Sequence, residues 1–345
     1  MRGPRISIIM PARDAQATIR EAIESVLKQT FRDFELIVID DASSDDTSKV
    51  VKEFSDSRVN LIQLQSTHGI GEALNLGMSS ARGEFLARMD ADDISLPNRL
   101  QKQLEFLSQR KDIDIVGSWS QAFGVADYLE KVPITHADLM AEMAFSCPLV
   151  HPTIMISRHV ARDKLQYDKA YSVTEDYELW SRLIFELKFE NIPSVLLKRR
   201  RSAQHESGSA YRAEQQRQGD KIRSGYIRRL GIKTDDAEIS LHNQLSRGEF
   251  SALIGREKEI MDWIVKIDNH LESLDLGTPN TSKILWNRAG PAVRADGNLK
   301  KALHCTLMLR QLNSPHLALM LSAFMKALGL VRRARGPRSR YSKVN

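Results

Sequence analysis

Residues 84–93 have the sequence EFLARMDADD, an apolar run that ends in three carboxylates. Two earlier segments have a similar form, since residues 7–11 read SIIMP and residues 35–41 read ELIVIDD. An apolar run of roughly four to eight residues that stops at a polar cluster or a proline predicts a buried strand. The three segments therefore predict three buried strands, each followed by a polar turn.

Helical periodicity separates these predicted strands. Apolar residues recur at helical spacing over residues 19–27 and 69–81, and a further strand is predicted over residues 59–64. This alternation predicts an α/β fold with a mostly parallel sheet and helices on both faces. Because the carboxyl ends of parallel strands meet at one edge, we expect the ligand site where the polar clusters follow the strands.

The composition is that of a folded protein. The chain has 345 residues, 42% of them hydrophobic and 27% charged, which suits two or three domains. Its two cysteines, Cys147 and Cys305, exclude a disulfide scaffold and a thiolate zinc cluster, and they suit a reducing compartment. No apolar run reaches the roughly 20 residues of a membrane-spanning helix. We therefore expect a cytoplasmic protein, either soluble or peripheral at the inner face of the membrane.

Two common phosphate-binding loops are missing from the sequence. No glycine-rich turn precedes a Lys-Ser or Lys-Thr pair, and residues 69–71 (GIG) lack the third glycine of a dinucleotide-binding turn. The acidic edge would repel an anionic ligand unless a divalent cation lay between, and oxygen ligands suit Mg²⁺ or Mn²⁺. Aspartates at strand ends also serve as turns and caps, which is our interpretation of Asp45 and Asp46. Three carboxylates within residues 90–93 repel one another, so the metal interpretation is favoured there.

In these motifs the chain resembles glycosyltransferase family 2, the inverting enzymes with a GT-A (Rossmann-like) fold, of the type that builds bacterial surface polysaccharides. The resemblance covers about residues 5–205, and the motifs stand in the family's order. They are residues 7–11, 22–31, 35–45 and 83–93, the LVHPT segment at 149–153, and the TEDYELW segment at 174–180.

The resemblance implies a role for each matching residue. It places the nucleotide at the strand ends, on Pro11, Ala12, Arg13, Asp40, Asp41, Arg88 and Asp90. It assigns the Asp-x-Asp motif to the metal, with Asp92 as the direct ligand and Asp90 beside it toward the ribose or sugar. It makes Asp176 the catalytic base and Glu175 its substitute. The N-terminus of the helix predicted after Thr174 is expected to favour the ionised form of Asp176.

Three features keep two interpretations each. Arg88 contacts the nucleotide or pairs with the acid cluster that follows it. His151 contacts the diphosphate or the acceptor, or it is a buried core histidine. His205 is expected to contact the diphosphate or the acceptor from a segment that is often mobile in the family. The run Arg199-Arg200-Arg201 meets the leaving phosphates or is a solvated strand end.

Net charge divides the chain, because residues 1–195 carry −8 and residues 196–345 carry +14. We expect four regions: the nucleotide-sugar half of the GT-A domain at 1–110, its acceptor half at 111–205, a mostly α-helical C-terminal region at 206–331, and a flexible basic tail at 332–345. Long helices are predicted over 250–274 and 317–328, and they pack on the catalytic domain or form a homodimer contact.

The basic tail has three interpretations. It contacts an anionic membrane surface, binds nucleic acid or remains solvated. Nucleic acid is not expected as a partner, because Tyr341 is the only aromatic residue among the arginines of the tail.

The sequence thus predicts a metal-dependent inverting glycosyltransferase that uses Mn²⁺ or Mg²⁺. It would move one sugar from a nucleotide sugar, with a UDP-sugar favoured, to a saccharide or lipid-linked acceptor in cell-surface polysaccharide synthesis. The alternative is a non-catalytic nucleotide-sugar-binding or scaffold protein of a glycan assembly complex. Nucleotidyl transfer shares the acidic edge, but the first 110 residues offer few cations for a triphosphate.

Overall fold

The computed structural model describes residues 3–202 and 209–294. The chain divides into two compact units, an N-terminal unit of residues 1–230 and a C-terminal unit of residues 231–345. Among the described residues the strands are β1 (Ile6–Ala12), β2 (Phe34–Asp40), β3 (Val59–Gln63), β4 (Phe85–Arg88), β5 (Ile94–Ser95), β6 (Ile115–Gly124), β7 (Tyr128–Glu130), β8 (Met155–Ser157) and β9 (Phe189–Arg201).

Helices connect and follow these strands. They are α1 (Ile19–Leu27), α2 (Thr47–Lys52), α3 (Ile70–Ser80), α4 (Arg99–Gln109), α5 (His136–Met143), α6 (Arg158–Lys164), α7 (Glu175–Leu183), α8 (Ser209–Arg229), α9 (Asp236–Arg247), α10 (Glu257–Ser273) and α11 (Pro279–Arg294). Two short 3₁₀ helices span His151–Thr153 and Phe250–Leu253.

The strands form one sheet of nine strands within the described part of the chain. Its order is β3-β2-β1-β4-β8-β6-β9-β5, with β7 paired to β6 alone. The pairs β1–β2, β1–β4, β2–β3 and β6–β9 are parallel, and the pairs that β8, β7 and β5 form are antiparallel. The prediction of a mostly parallel sheet with flanking helices, followed by a helical C-terminal region, is confirmed.

The register brings the predicted strand ends to one edge. All seven residues of β1 and of β2 are buried, which is why their sequences lack the alternation of a half-exposed strand. Ala12 pairs with Asp40, and Ile9 pairs with Arg88, so the turns after β1, β2 and β4 lie side by side. The acidic run that follows β4 therefore lies at the edge where a ligand site was expected.

A buried carboxylate ties the opposite edge of the sheet together. Glu35 is 4% exposed and accepts hydrogen bonds from the Ser7 hydroxyl at 2.6 Å and from the Arg82 guanidinium at 2.6 Å. Gly83 packs so tightly against β1 that an added Cβ atom would collide with the backbone nitrogen of Ser7. Only glycine fits this close approach of two backbone segments.

The described part of the C-terminal unit is helical, but one prediction about it is wrong. The helix expected over residues 250–274 is broken, because the 3₁₀ helix Phe250–Leu253 ends at Ile254 and α10 begins only at Glu257. Gly255 lies between them with a φ of +86°, a left-handed conformation that interrupts helical hydrogen bonding. The predicted helix at 317–328, the tail at 332–345 and Cys305 lie outside the described residues. Within those residues, none of the helices has the length and apolarity needed to cross a bilayer.

Candidate active site

The aspartates that end β2 hold the backbone of the neighbouring loops. The Asp41 carboxylate accepts hydrogen bonds from the backbone N–H groups of His68 at 2.8 Å and Gly69 at 2.9 Å. Asp40 accepts a hydrogen bond from the backbone N–H of Ser43 at 3.1 Å. Both carboxyl groups are buried, so they shape the loops at this edge. Their contact with a nucleotide stays a prediction.

The end of β1 contributes two buried residues and one exposed arginine to this edge of the sheet. Pro11 and Ala12 are buried, whereas Arg13 is exposed and its Nε lies 3.8 Å from the Asp14 carboxylate. Asp14 in turn accepts hydrogen bonds from the backbone and side chain of Ser44, which connects the loops after β1 and β2. Arg13 therefore reaches the surface of the same edge, as its predicted contact with a base requires.

The acidic run after β4 forms a cluster with the chemistry of a cation site. One carboxylate oxygen from each of Asp90, Asp92 and Asp93 lies within 4.8 Å of the others. Asp93 is 1% exposed, and its Oδ1 accepts a hydrogen bond from the backbone N–H of Arg200 at 2.8 Å. Its Oδ2 is buried without a hydrogen-bond partner. A buried carboxylate oxygen left in this way, beside two further carboxylates, fits a divalent cation such as Mn²⁺ or Mg²⁺.

Burial and neighbouring charges disfavour the ionised form of Asp93 in this cluster. Burial, followed by the charges of Asp90 and Asp92, raises the pKa of Asp93 to about 8. Asp93 was part of the predicted acidic run but was not assigned to the metal. Its position next to Asp92 was the only sequence signal, and its burial comes from the fold.

The acid cluster and several arginines line one cavity. The cavity has a volume of about 700 Å³, and its lining includes Ile70, Arg88, Asp90, Asp92, Asp93, Arg199, Arg200, Arg201, Tyr211 and Arg212. The arginine run at the end of β9 therefore lines the same cavity as the acidic cluster, and its contact with the leaving phosphates stays a prediction. Arg200 donates a hydrogen bond from Nε to the carbonyl oxygen of Asp92 at 2.9 Å. Arg199 and Arg201 each form an ion pair with Glu130 at 3.2 Å.

Arg88 pairs with the cluster, as one of its two interpretations expected. It is 8% exposed and donates a hydrogen bond from Nη1 to Asp90 Oδ2 at 2.5 Å. Its Nε is buried without a hydrogen-bond partner. A second contact, with a ligand in the cavity, is thus compatible with the position of its side chain.

Glu175 and Asp176 occupy the first turn of α7, as predicted. The backbone N–H of Tyr177 donates a hydrogen bond to Asp176 Oδ1 at 2.7 Å. The charge of Arg88 acts on both carboxylates and that of Arg199 acts on Asp176, so the pair lies within electrostatic range of two arginines that line the cavity.

The ionisation of this pair differs from the expectation. Burial raises the pKa of Asp176, and burial, followed by the charge of Asp176, raises the pKa of Glu175 to about 8. The helix N-terminus was expected to favour the charged form of Asp176, but desolvation outweighs that contribution. Arg88 opposes the rise in the pKa of both groups.

His151 is buried beside this pair. It is 6% exposed, its Nε2 lies 2.7 Å from the Tyr167 hydroxyl oxygen, and its Nδ1 lies 4.0 Å from Glu175 Oε1. Tyr167 was not identified from the sequence, which carries no signal for it. His205 lies outside the described residues.

Comparisons with known proteins give the same family. The sequence model of the family described as "Glycosyl transferase family 2" matches residues 7–165. An uncharacterized glycosyltransferase of Haemophilus influenzae is 32% identical over 247 residues, which cover 66% of this chain and 76% of that protein. The UDP-Glc:alpha-D-GlcNAc-diphosphoundecaprenol beta-1,3-glucosyltransferase WfgD of Escherichia coli is 33% identical over 193 residues, which cover 55% of this chain and 72% of WfgD.

Solved structures share the fold at low sequence identity. TarS 1–349 of S. aureus in complex with UDP has a TM-score of 0.55 at 16% identity, covering 95% of this chain and 93% of that one. The mannosyltransferase PcManGT of Pyrobaculum calidifontis, in complex with GDP-Man and Mn²⁺, has a TM-score of 0.50 at 15% identity, covering 94% of this chain and 87% of that one. The sheet, the cavity at its edge and the sequence relatives agree, and the chain belongs to glycosyl transferase family 2 with a GT-A fold.

Proposed function

We propose that this protein is a metal-dependent inverting glycosyltransferase that transfers one sugar from a nucleotide sugar to a saccharide or lipid-linked acceptor in cell-surface polysaccharide synthesis. One observation carries the proposal: a carboxylate cluster suited to a cation lines a cavity with Arg88 and Arg199, and both arginines lie within electrostatic range of the separate carboxylate of Asp176. The charges of both groups act on the guanidinium of Arg199. Although burial opposes it, carboxylates raise the pKa of Arg199, in the order Glu130, Asp90, Asp93 and Asp176.

The names of relatives support the choice of donor and acceptor. WfgD is described as using UDP-Glc and a sugar linked to diphosphoundecaprenol, and another relative, WbnJ of Escherichia coli, as an O-antigen biosynthesis glycosyltransferase. TarS has been solved with UDP and with UDP-GlcNAc. A UDP-sugar donor and a lipid-linked or saccharide acceptor are therefore the favoured substrates of this chain.

Binding of the donor would use the three neighbouring turns of the sheet edge. Pro11, Ala12, Arg13, Asp40 and Asp41 would hold the base and ribose. Asp90, Asp92 and Asp93 would hold the divalent cation, which supplies positive charge to a leaving diphosphate. The cavity would thus contain the diphosphate between the acid cluster and the arginine run of β9. Residues 1–110 would form the nucleotide-sugar half of the domain, and residues 111–205 the acceptor half.

Transfer with inversion is a single displacement. The acceptor oxygen forms a bond to the anomeric carbon while the bond between that carbon and the diphosphate oxygen breaks. The electron pair of the broken bond leaves with the nucleoside diphosphate, and the nearby guanidinium groups of Arg88 and Arg199 stabilise the added negative charge. Asp176 accepts the proton of the acceptor hydroxyl, since it lies outside the metal cluster and within electrostatic range of Arg88 and Arg199, which line the cavity.

The test is transfer by purified protein with a panel of nucleotide sugars, with Mn²⁺ or with EDTA. We expect turnover with a UDP-sugar only when the metal is present, and loss of turnover in Asp92→Ala and in Asp176→Asn while both variants stay folded. Asp33→Asn, which changes an exposed carboxylate elsewhere in the N-terminal unit, is the control and keeps activity. Wild-type turnover in Asp176→Asn would remove it as the base, and binding without turnover in the wild type would support the scaffold alternative.

A further inference from the structure

A pair of buried polar rings lies behind the carboxylate pair of α7. His151 is 6% exposed and Tyr167 is 4% exposed. The Tyr167 hydroxyl oxygen lies 2.7 Å from His151 Nε2, and the opposite ring nitrogen, Nδ1, lies 4.0 Å from Glu175 Oε1. The imidazole thus stands between a phenol and the carboxyl group of Glu175.

Several elements hold these two rings in place. The backbone N–H of Tyr167 donates to Asn75 Oδ1 at 2.9 Å, and the Asn75 side chain donates to the Tyr167 carbonyl at 3.0 Å, which ties the tyrosine to α3. The His151 ring packs edge-to-face on Trp180 of α7, with ring centroids 6.0 Å apart. The buried imidazole therefore has a hydrogen-bond partner at Nε2 and an aromatic neighbour in Trp180, which together specify its position.

The imidazole is held in its neutral form. Burial, followed by the charges of Arg88 and Arg199, lowers the pKa of His151 well below its usual value. Burial also raises the pKa of Tyr167, so the phenol keeps its proton. A neutral imidazole has one donor and one acceptor nitrogen, and the bond that Tyr167 makes to Nε2 decides which of them faces Glu175.

Other ionisable groups also face Glu175. Asp176 adjoins it on α7, and the charges of Arg88 and Asp90 reach it from β4 and the following turn. The buried Cys147 thiol lies within range of both carboxylates. Tyr167 itself lies within electrostatic range of Glu175 and Asp176, and the two ring nitrogens of His151 lie next to the Tyr167 hydroxyl and to Glu175.

We propose that His151, held by the Tyr167 hydroxyl, is a positioning residue that fixes the carboxyl group of Glu175, so that Asp176 alone of the adjacent pair meets the acceptor hydroxyl. The inference rests on the proposed function and adds to it. It gives His151 a role behind the base, which differs from both a contact with the diphosphate and a plain place in the core.

The test is a double-mutant cycle between Tyr167→Phe and Glu175→Ala, read in the transferase assay across pH. We expect Tyr167→Phe to lower kcat about tenfold with little change in the KM of the donor. We also expect it to move the acidic limb of the kcat profile by about half a pH unit or more. In the Glu175→Ala background the same substitution should change neither quantity, because its effect passes through Glu175.

A matched control separates positioning from simple loss of a buried hydrogen bond. The buried Tyr226 hydroxyl donates to the Met140 carbonyl at 2.8 Å, so Tyr226→Phe loses a comparable bond away from the carboxylates. We expect it to lower the melting temperature to a similar extent as Tyr167→Phe and to leave the pH profile unchanged. His151→Phe is a second probe that retains a ring and should reproduce the Tyr167→Phe profile.

Two results would overturn the inference. One is additivity of the Tyr167→Phe and Glu175→Ala effects, and the other is a Tyr167→Phe profile that matches that of Tyr226→Phe. Failure of the proposed function looks different, because Asp176→Asn would then keep wild-type transfer, and the inference would fall with it. If Asp176→Asn is inactive and the cycle is additive, only the positioning role fails.

Discussion

Replacing Asp93 by asparagine should stabilise the protein when no divalent cation is present. The carboxyl group is 1% exposed and lies beside Asp90 and Asp92, so its charged form is disfavoured in the folded state. Asparagine has nearly the same shape, keeps an oxygen for the Arg200 N–H, and places an amide N–H toward the other two carboxylates. The substitution therefore removes the electrostatic cost and retains the packing.

The size and sign of the effect follow from the pKa of Asp93. Its value rises from 3.8 to about 8 on folding, so the folded state holds a proton that the unfolded state has lost. Stability contributed by this group is therefore full below about pH 4 and declines as the pH rises toward 8. At pH 7 the loss is at most roughly 4 kcal/mol, since each pKa unit corresponds to about 1.4 kcal/mol. Asp93→Asn should recover a part of it.

Hydrogen exchange on peptides from β1 and β4 is the suitable assay, because it reports on the N-terminal unit alone. Measurements run from pH 5 to pH 8, with EDTA or with MnCl₂. In EDTA the advantage of Asp93→Asn should grow with pH, whereas the exposed control Asp33→Asn should stay within about 0.5 kcal/mol of the wild type. With Mn²⁺ at a hundred times its dissociation constant, the wild type should gain about 2.7 kcal/mol, and Asp93→Asn should lose most of that gain.

Either of two results would refute this reasoning. Wild-type stability in EDTA that stays constant from pH 5 to pH 8 would show that Asp93 is not the strained acid that its burial implies. An Asp93→Asn protein less stable than the wild type at pH 8 without metal would show that the carboxylate stabilises the fold by itself.

Two further predictions concern the opposite edge of the sheet and a helix. Gly83→Ala should lower the free energy of unfolding, measured in urea, by roughly 2–3 kcal/mol, because the added Cβ would collide with the Ser7 backbone. Gly225→Ala should raise the same quantity by roughly 0.5–1 kcal/mol, because Gly225 lies within α8 with open space around it. Although burial opposes it, hydrogen bonds from Arg82 and Ser7 lower the pKa of Glu35, so its stabilisation is present above its unfolded pKa and is lost as the pH falls. Glu35→Gln should therefore cost about 2 kcal/mol at pH 7 and less at pH 3, measured by urea unfolding at both pH values.

The first four strands of the N-terminal unit were predictable because their signal is local. β1 and β2 are buried at every position, so each appears in the sequence as a continuous apolar run. The break at residues 254–256 was missed for the opposite reason. Apolar residues continue at helical spacing on both sides of Gly255. The hydrophobic pattern does not indicate that the backbone of Gly255 is left-handed.

The site was predictable only where its residues are close in the sequence. Asp90 and Asp92 stand in one short run, and that run suggested a metal. The run Arg199-Arg200-Arg201 could not be placed beside the acid cluster from the sequence. Its position depends on the pairing of β9 with β5, which brings Ile94 opposite Lys198. His151 likewise could be placed beside Glu175 only after the 3₁₀ helix and α7 had packed together.

The sequence by itself determined the strands β1 to β4 and the acidic run that follows β4, because hydrophobic periodicity and neighbouring charges are properties of adjacent residues. The tertiary structure alone decided which acids of the site have a raised pKa. Burial by elements distant in the chain raises the pKa of Asp93, Glu175 and Asp176, whereas the helix terminus next to Asp176 favours the charged form. Desolvation depends on every atom around a group, and that quantity exists only in the folded chain.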